Sequence, residues 1–596
     1  MVKYKKASES LAFLLIILIR FLIYHYNIIL VLNFVFLYVK LIAYDSVCAI
    51  KGKRMLQIRQ LSSLVKVFSD EEPKVKSFER LSMFRNERAS VQVAMLSDSD
   101  SEVSVEIKSK IKDKVKTYYV EEIYSSLPIG AKQDDYTLRR EEGYFPDLLR
   151  PLDGNIQLTG GKWLSLWLEV FSSDNLPVGE QSVEVILKSG EDEQKATFVF
   201  DVIDELLPEQ KLIYTNWFHT DCLATYYGVD VFSDEYWRIV ERYLKIACEH
   251  GMNMVLTPLF TPPLDTQIGK ERPTVQLVGV EYSNNRYTFD FSLLDKWIDM
   301  CQRVGIKYFE MSHFFTQWGA KKCPKIMAKA DGAEKKIFGW NTRGASKKYR
   351  EFLSALAPKL KEYLRNKGIA ERTYFHVSDE PFKMVLRTYR KASQIVKELF
   401  GEFAIIDALS NYDFYEKGLL QLPIPATNHI QPFIGKVPEL WTYYCGAQDV
   451  DVSNRFFSMP SQRNRALGCQ LYKYGVKGFL HWGYNFWYRR LSKGMIDPFT
   501  ETAAGKAFPS GDSFVVYPGK DGEPLPSLRL KVFFDGLQDM RALGLAESLV
   551  GKDKVLEVLE EGIEPIAFNK FPHSDEWQLE MRQRINNLCK NNAKVE

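Results

Sequence analysis

The sequence predicts a multidomain protein in which an antiparallel β-sandwich is followed by a (β/α)8 TIM-type barrel. Between about residues 62 and 203, short runs alternate apolar and polar residues, as the strands of a sandwich do. After Pro208, apolar strands alternate with longer amphipathic segments, which is the pattern of βα units around a parallel sheet. The composition fits this size, because 596 residues with 46% hydrophobic and 26% charged content bury large cores and exclude a disordered or fibrous chain.

Residues 1–54 form a hydrophobic extension that does not match the rest of the chain. Positions 11–50 are rich in Leu, Ile, Phe, Tyr and Val. They fit two short membrane spans with both ends in the cytoplasm, or a signal peptide without an obvious cleavage site. They also fit translated upstream sequence, in which case the protein starts at Met55. A cytoplasmic protein and one anchored in the membrane through residues 11–50 therefore both stay open.

The predicted sandwich domain covers residues 55–207. Its clearest strands are the alternating runs 90–95, 103–107, 163–170, 183–187 and 196–200. Residues 204–208 have the composition of a linker.

The predicted catalytic barrel covers residues 208–510, and residues 511–596 form a strand and helix region that packs on it. Eight candidate strands match the number that closes a TIM barrel. They span 212–221, 252–261, 307–315, 373–381, 402–410, 422–433, 440–445 and 476–485. Helices are predicted at 234–250, 291–304, 346–367 and 383–399, and none is obvious after the fifth and sixth strands.

Charge and cysteine content exclude several functions. Lys and Arg number 79 against 76 Asp and Glu, and no long basic run offers a surface for nucleic acid. The eight cysteines are scattered without a C-x-x-C pair, which argues against a disulfide scaffold or structural zinc. No phosphate-binding loop, dinucleotide fingerprint, H-E-x-x-H or G-x-S-x-G motif is present, so we expect no metal or cofactor.

The carboxyl ends of the predicted barrel strands are unusually polar and aromatic. Active sites of such barrels lie at this end. The residues there include Trp217, His219, Glu310, His313, Asp379, Glu380, Asp407, Trp441, Tyr443, Trp482, Asn485 and Trp487.

The sharpest motif is the segment 374–381, which ends in Asp379-Glu380-Pro381. Strand alternation turns His376 and Glu380 inward, and Pro381 predicts extended backbone at Glu380 and the end of the strand. Two adjacent carboxyls in one pocket suit acid/base work, because like charge and burial raise one pKa. The alternative is structural, with Asp379 capping a helix that starts after Pro381.

The aromatic residues indicate a carbohydrate ligand. Sugar rings present apolar faces that lie on Trp and Tyr, while their hydroxyls need polar partners. Many of the Trp residues fall in the barrel region, so a sugar pocket explains the mixture of aromatic and carboxylate groups better than a phosphate or metal site.

From about Met55 to its end, the chain resembles glycoside hydrolase family 123, β-N-acetylgalactosaminidases with an N-terminal β-sandwich and a (β/α)8 barrel. The resemblance rests on four segments: 376–381 (HVSDEP), 478–487 (GFLHWGYNFW), 510–519 with its SGD and YPG, and 527–539 with its SLR and DGLQD.

The resemblance implies a retaining, substrate-assisted reaction without an enzyme nucleophile. In it, Asp379 orients the acetamido group of the substrate and Glu380 serves as acid and then as base. Its implied sugar contacts are Trp441, Tyr443, Trp482, Asn485, Trp487 and Asp512, with His219, Glu310, His313, Trp318 and Arg463 behind them. The alternative for Arg463 is a structural role as the partner of a carboxylate.

The predicted function is therefore release of terminal β-linked N-acetylgalactosamine from glycans or glycolipids. Two alternatives remain at this point. One is a related hydrolase acting on a different N-acetylhexosaminide, and the other is a non-catalytic glycan-binding protein, since a fold does not imply a function. Membrane association is expected only if residues 1–54 are genuine.

Overall fold

The computed structural model describes residues 56–172 and 176–592, so the predictions for residues 1–54 lie outside it. The N-terminal part contains two five-stranded sheets. Their strands are β1 (Gln57–Ser62), β2 (Arg80–Arg85), β3 (Glu87–Leu96), β4 (Ser101–Lys108), β5 (Val115–Ser125), β6 (Gly143–Pro151), β7 (Ile156–Leu158), β8 (Leu164–Ser172), β9 (Gly179–Ser189) and β10 (Asp192–Leu206).

The two sheets have the orders β1-β3-β8-β5-β6 and β2-β10-β9-β4-β7. All neighbours are antiparallel except β2 and β10, which run parallel. The alternate residues of β3, β8, β9 and β10, such as Val93, Leu168, Val185 and Phe198, are fully buried in one shared core. The prediction of antiparallel N-terminal sheets is confirmed, and each of the five predicted runs falls largely within a strand.

The second part is built on an eight-stranded parallel sheet that follows chain order. Its strands are β11 (Ile213–Asn216), β12 (Met254–Thr257), β15 (Tyr308–Met311), β18 (Thr373–His376), β19 (Ala404–Ala408), β20 (Leu422–Ile424), β21 (Trp441–Tyr443) and β22 (Gly478–His481). The last strand pairs with the first, and a parallel bridge between Ala426 and Tyr443 joins the ends of β20 and β21. The sheet is thus barrel-like, and every strand lies inside a predicted segment.

Helices surround this sheet. They are α1 (Thr220–Tyr227), α2 (Asp234–Glu249), α3 (Ser292–Val304), α4 (Lys347–Asn366), α5 (Leu386–Phe400), α6 (Tyr412–Glu416), α7 (Ser461–Arg465) and α8 (Leu467–Lys473). The four predicted helices correspond to α2, α3, α4 and α5, whereas the other four were not predicted. The fifth connection holds only the short α6. Two hairpins that the sequence did not predict, β13 (Gly279–Ser283) with β14 (Arg286–Asp290) and β16 (Ile326–Ala330) with β17 (Ala333–Phe338), form a separate four-stranded sheet.

The C-terminal region ties the two parts together. It comprises β23 (Val516–Pro518), β24 (Pro524–Pro526), α9 (Leu528–Val550), α10 (Lys552–Leu559) and α11 (Asp575–Asn592). At the start of α9, Arg529 makes a two-pronged ion pair with Asp147 of β6, and Lys531 pairs with Glu169 of β8. All four side chains are buried, so α9 fixes the N-terminal sheets against the barrel.

Within the described ranges no helix is long and apolar enough to cross a bilayer, and the seven cysteines found there are all free.

Candidate active site

A cavity of about 780 Å³ opens at the carboxyl ends of the barrel strands. The loops after β11, β12, β15, β18, β21 and β22 line it, and a loop of the N-terminal part forms another wall. The lining includes both predicted catalytic carboxyls, Asp379 and Glu380. This volume lies within the range of small-molecule binding sites, and the carboxyl ends of the strands are where such sites occur in barrels of this kind.

The carboxyl pair lies in a loop and not in the strand, because β18 ends at His376. The expected extended backbone at Glu380 is wrong, since its φ is +40°. Hydrogen bonds on both sides hold this strained conformation. The Trp318 N–H donates to the Asp379 carbonyl (2.8 Å), and the Tyr443 hydroxyl donates to Glu380 Oε1 (2.6 Å). Backbone strain of this kind is typical of functional loops.

The capping alternative for Asp379 finds no support in the structure. The helical segments after Pro381 begin at Lys383 and Leu386, and neither has a side-chain hydrogen bond at its cap. Asp379 is instead half-buried and lines the cavity.

The environment of the pair favours retention of a proton. Burial is the largest cause that raises the pKa of Asp379 well above its ordinary value, and the neighbouring charge of Glu380 adds to it. Asp407 and Asp265 raise this pKa further, while His376 opposes them. Asp379 is therefore suited to hold a proton at a pH where an isolated carboxyl would have lost it.

A buried network of hydrogen bonds around His376 lies beneath the Asp379–Glu380 pair. His376 hydrogen-bonds Glu310 through Nε2 and Asp407 through Nδ1, the latter at 3.1 Å. Burial alone would lower the pKa of His376, but the two carboxylates outweigh it and raise this pKa to about 9. His376 is therefore an imidazolium at neutral pH.

Asp407 connects this network to the loop that carries Asp379 and Glu380. It accepts hydrogen bonds from the Tyr389 hydroxyl (2.7 Å) and from the backbone N–H groups of Val377 and Ser378, at 3.0 and 3.2 Å. These two residues lead directly into Asp379. Asp407 thus positions the loop as well as the imidazolium.

His313 lies beside the network but does not complete a metal site with it. His313, His376 and Asp407 place possible ligand atoms within 4.8 Å of one another. However, the two imidazole rings are stacked at 4.1 Å with only 23° between their planes, so their lone pairs do not converge on one point. Both nitrogens of His376 are also engaged by carboxylates. The arrangement does not fit a metal ion without rearrangement.

Five of the ten residues predicted to contact sugar line the cavity. They are His219, Trp318, Tyr443, Trp482 and Asp512. Trp482 donates from Nε1 to Asp512 Oδ2 (3.2 Å), and burial raises the pKa of Asp512 to about 7. Trp318 exposes 37% of its surface at the cavity mouth.

The other five lie in the packed interior. Glu310 accepts from Thr215 and Trp217 beneath the site, and His313 stacks on His376. Trp441 packs inside the barrel against Gly478, Asn485 pairs with both backbone polar groups of His219, and Trp487 donates to the Val516 carbonyl. These five side chains contact other residues of the protein, and none of them lines the cavity.

Arg463 is a structural partner of a carboxylate, which was the alternative to a sugar contact. It is 1% exposed and forms a two-pronged ion pair with Asp134 at 2.8 Å on both prongs. Asp134 belongs to the segment between β5 and β6, so this pair fastens the N-terminal part beside the cavity.

Residues 127 and 129–132 form an N-terminal wall of the cavity, which was not predicted from the sequence. The Leu127 carbonyl accepts from the Ser510 N–H (2.8 Å), and the Lys132 N–H donates to Asp449 (2.9 Å). Pro128 and Gly130 mark only a turn in the sequence, so no local signal announces this role. Arg490 and Lys506 at the rim were also missed.

A carboxyl pair in a cavity at the carboxyl end of an eight-stranded parallel sheet is an arrangement typical of glycoside hydrolases. Comparison with known proteins agrees, because the glycoside hydrolase 123 catalytic domain matches residues 217–546. The chain belongs to this family and is a glycoside hydrolase.

Among solved structures, this chain is similar to a family 123 glycoside hydrolase from Clostridium perfringens, described for glycolipid glycan hydrolysis. The TM-score is 0.68 at 16% identity, covering 90% of this chain and 97% of that one, and the likeness establishes the fold. A β-glucuronidase from Bacteroides uniformis reaches a TM-score of only 0.29 at 12% identity, covering 82% of this chain and 49% of that one. A search of curated proteins finds no significant match.

Proposed function

We propose that the protein is a retaining exo-glycoside hydrolase that releases terminal β-linked N-acetylgalactosamine from glycans or glycolipids. The observation that carries the proposal is the Asp379–Glu380 pair at the cavity, with Tyr443 bonded to Glu380. The likeness to the Clostridium perfringens enzyme, described for glycolipid glycan hydrolysis, supports the substrate class. In this proposal the barrel is a closed (β/α)8 catalytic domain over residues 208–510, between the sandwich of residues 55–207 and the region 511–596.

The proposed reaction uses the 2-acetamido group of the substrate as its nucleophile. The acetamido carbonyl oxygen attacks the anomeric carbon while the glycosidic oxygen leaves with the proton of Glu380, and an oxazoline forms. Glu380 then takes a proton from water, which opens the oxazoline and restores the original anomeric configuration. The acetamido N–H and the positive charge that develops on it favour a carboxylate, so in the substrate complex the proton of the pair lies on Glu380. The ionised Asp379 then accepts a hydrogen bond from this N–H and stabilises the charge.

The geometry of the pair supports this division of roles. Tyr443 occupies Oε1 of Glu380 and so orients the carboxyl. Asp379 is held from its backbone by the Trp318 N–H, which leaves its side chain for the substrate. The cavity wall formed by residues 127–132 supports exo action, because it closes the site on the side of the N-terminal sheets.

The test is hydrolysis of aryl β-N-acetylgalactosaminide by the full chain and by its Glu380→Gln and Asp379→Asn variants. General acid/base catalysis is worth about 10²- to 10⁴-fold, so we expect each variant to lose about that factor in kcat/KM. The Asp379→Asn variant should not be rescued by an external nucleophile, and an aryl β-galactoside without the acetamido group should not be cleaved.

Three results would contradict the proposal. Efficient cleavage of the galactoside would remove the role of the acetamido group. A preference for the epimeric N-acetylglucosaminide would assign another amino sugar. Binding of N-acetylgalactosamine by the wild type without turnover of either aryl substrate would leave a glycan-binding role.

A further inference from the structure

Exposed hydrophobic side chains are concentrated at the mouth of the cavity. Nine large hydrophobic side chains of the described residues are well exposed. Four of them, including the two most exposed, lie on loops that border the cavity. These four, which we call the apolar rim, are Ile268 (76% exposed), Trp318 (37%), Phe382 (43%) and Met384 (89%). Such a concentration marks an interaction surface and not the scatter of a normal protein exterior.

Hydrogen bonds and close packing join the loops of the apolar rim into one surface. Gln317 Nε2 donates to the Thr266 carbonyl (3.2 Å), which links the loop of Trp318 to that of Ile268. Gly319 lies against Val385 so closely that an added Cβ would come within 2.5 Å of it. The loop of Trp318 therefore also packs on the loop that carries Phe382 and Met384.

Cations border the same cavity. Lys132, Arg490 and Lys506 are exposed and line it, and we call them the basic rim. Within the described part of the chain, Lys132 and Arg490 form no ion pair, and Lys506 reaches Glu142 only at 3.8 Å. The loop of Arg490 contacts that of Ile268, because the Leu491 carbonyl accepts from the Gln267 N–H (3.0 Å). Arg490 of the basic rim is therefore a neighbour of Ile268 of the apolar rim, and Lys132 and Lys506 line the same cavity as Trp318.

We propose that the apolar and basic rims together form a docking surface for an anionic lipid bilayer. Apolar side chains that protrude between cations insert into the boundary between head groups and acyl chains, while the cations attract anionic head groups. Docking in this way places the cavity mouth at the membrane, where the terminal sugar of a glycolipid lies. The inference rests on the proposed function for its substrate, but the docking itself is independent of catalysis.

Insertion of the apolar rim is tested by a fluorophore that reports a change from water to lipid. Met384→Cys is labelled with an environment-sensitive dye, and Val178→Cys, at a 50% exposed position on the N-terminal sheets, is the matched control. The unsubstituted protein gives the background of the native thiols. Vesicles of phosphatidylcholine mixed with phosphatidylserine, without any glycolipid, are then added to the full chain.

We expect a blue shift of the dye at position 384 with anionic vesicles, a weaker one at high salt, and none at position 178. Because the comparison is between two positions of one chain, it does not depend on whether residues 1–54 also bind lipid. Absence of a shift at position 384, or an equal shift at position 178, would overturn the proposal.

A second measurement connects docking to catalysis. In an Ile268→Ser/Met384→Ser variant, kcat/KM for glycolipid in vesicles should fall at least about tenfold relative to kcat/KM for the soluble aryl substrate. The matched Val75→Ser/Val178→Ser variant should keep the wild-type ratio.

An equal fall on a soluble oligosaccharide would show that the apolar rim contacts the glycan and would overturn docking. Failure of the wild type to cleave any aryl substrate would instead contradict the proposed function and leave the fluorescence result standing.

Discussion

The substitution His376→Asn should cost the protein stability in a way that depends on pH. Asparagine removes the imidazolium between Glu310 and Asp407 and leaves two buried carboxylates without a cation. The pKa of His376 rises from its ordinary 6.5 to about 9 in the folded protein. Each tenfold change in proton affinity is worth about 1.4 kcal/mol, so this shift corresponds to about 3 kcal/mol of folding free energy. The loss agrees with the ~3–5 kcal/mol found when one partner of a buried ion pair is removed.

The sign of the pH dependence follows from the raised pKa. The stabilisation by His376 is fully present below pH 6.5 and is lost as the pH rises through about 9. The wild type should therefore be about 3 kcal/mol more stable than His376→Asn below pH 6.5, and this gap should narrow between pH 6.5 and 9 and be largely gone above pH 9. Urea unfolding across that range, followed by a probe of the barrel, measures the difference.

A matched control separates the charge of His376 from the general cost of replacing a buried histidine. Burial is the largest cause that lowers the pKa of His250 well below its ordinary value, so His250 stays neutral over the same range. His250→Asn should lower stability by a similar amount at every pH between 6.5 and 9. If wild type and His376→Asn lose stability in parallel as the pH rises, the imidazolium assignment is refuted.

Two further predictions concern the hydrogen bond from Tyr443 to Glu380 and the N-terminal wall of the cavity. Tyr443→Phe removes the 2.6 Å hydrogen bond to Glu380, and since a hydrogen bond to a charged group is worth about 1.5–3 kcal/mol, kcat/KM should fall about 10- to 100-fold. Tyr444→Phe, whose hydroxyl bonds Asn464, is the control, and equal losses in both variants would refute a specific role for Tyr443. Gly130→Ala puts a Cβ 2.5 Å from Asp449 Oδ2 and should displace the N-terminal wall, which raises KM for the natural glycan. Gly143→Ala, with open space around its Cβ, should leave KM unchanged, and an unaltered KM in both would show that the wall does not contact substrate.

Regular structure was predictable because burial imposes a period on the sequence. Alternation located β3, β8 and β10, and amphipathic periodicity located α2 and α4 to within two residues of their observed ends. The hairpins of the four-stranded sheet were not predictable in this way. Strand β17 (Ala333–Phe338) is exposed along most of its length and carries no apolar face. Strand β14 has only five residues, and its apolar face consists of two partly buried aromatic residues, Tyr287 and Phe289, which is too short a pattern to identify a strand.

Residues at strand ends were harder to interpret, because the strands stop earlier than their apolar runs. Strand β22 ends at His481, and the chain then turns so that Asn485 binds the backbone of His219 and Trp487 enters the outer core. Pro381 likewise predicted extended backbone at Glu380, whereas contacts from Trp318 and Tyr443, which are distant in sequence, hold Glu380 at positive φ. Local sequence carries no trace of such contacts.

The structure shows a structural role for two of the family motifs, the segments 527–529 and 535–539. Arg529 of the segment 527–529 pairs with Asp147, and Asp539 of the segment 535–539 accepts from both Arg465 and Arg582. Arg582 in turn binds Glu87 of the N-terminal sheets. These two motifs therefore join the N-terminal sheets to the part that holds the eight-stranded sheet, and none of their residues lines the cavity. Because the N-terminal part supplies the wall formed by residues 127 and 129–132, this interface is part of what shapes the cavity.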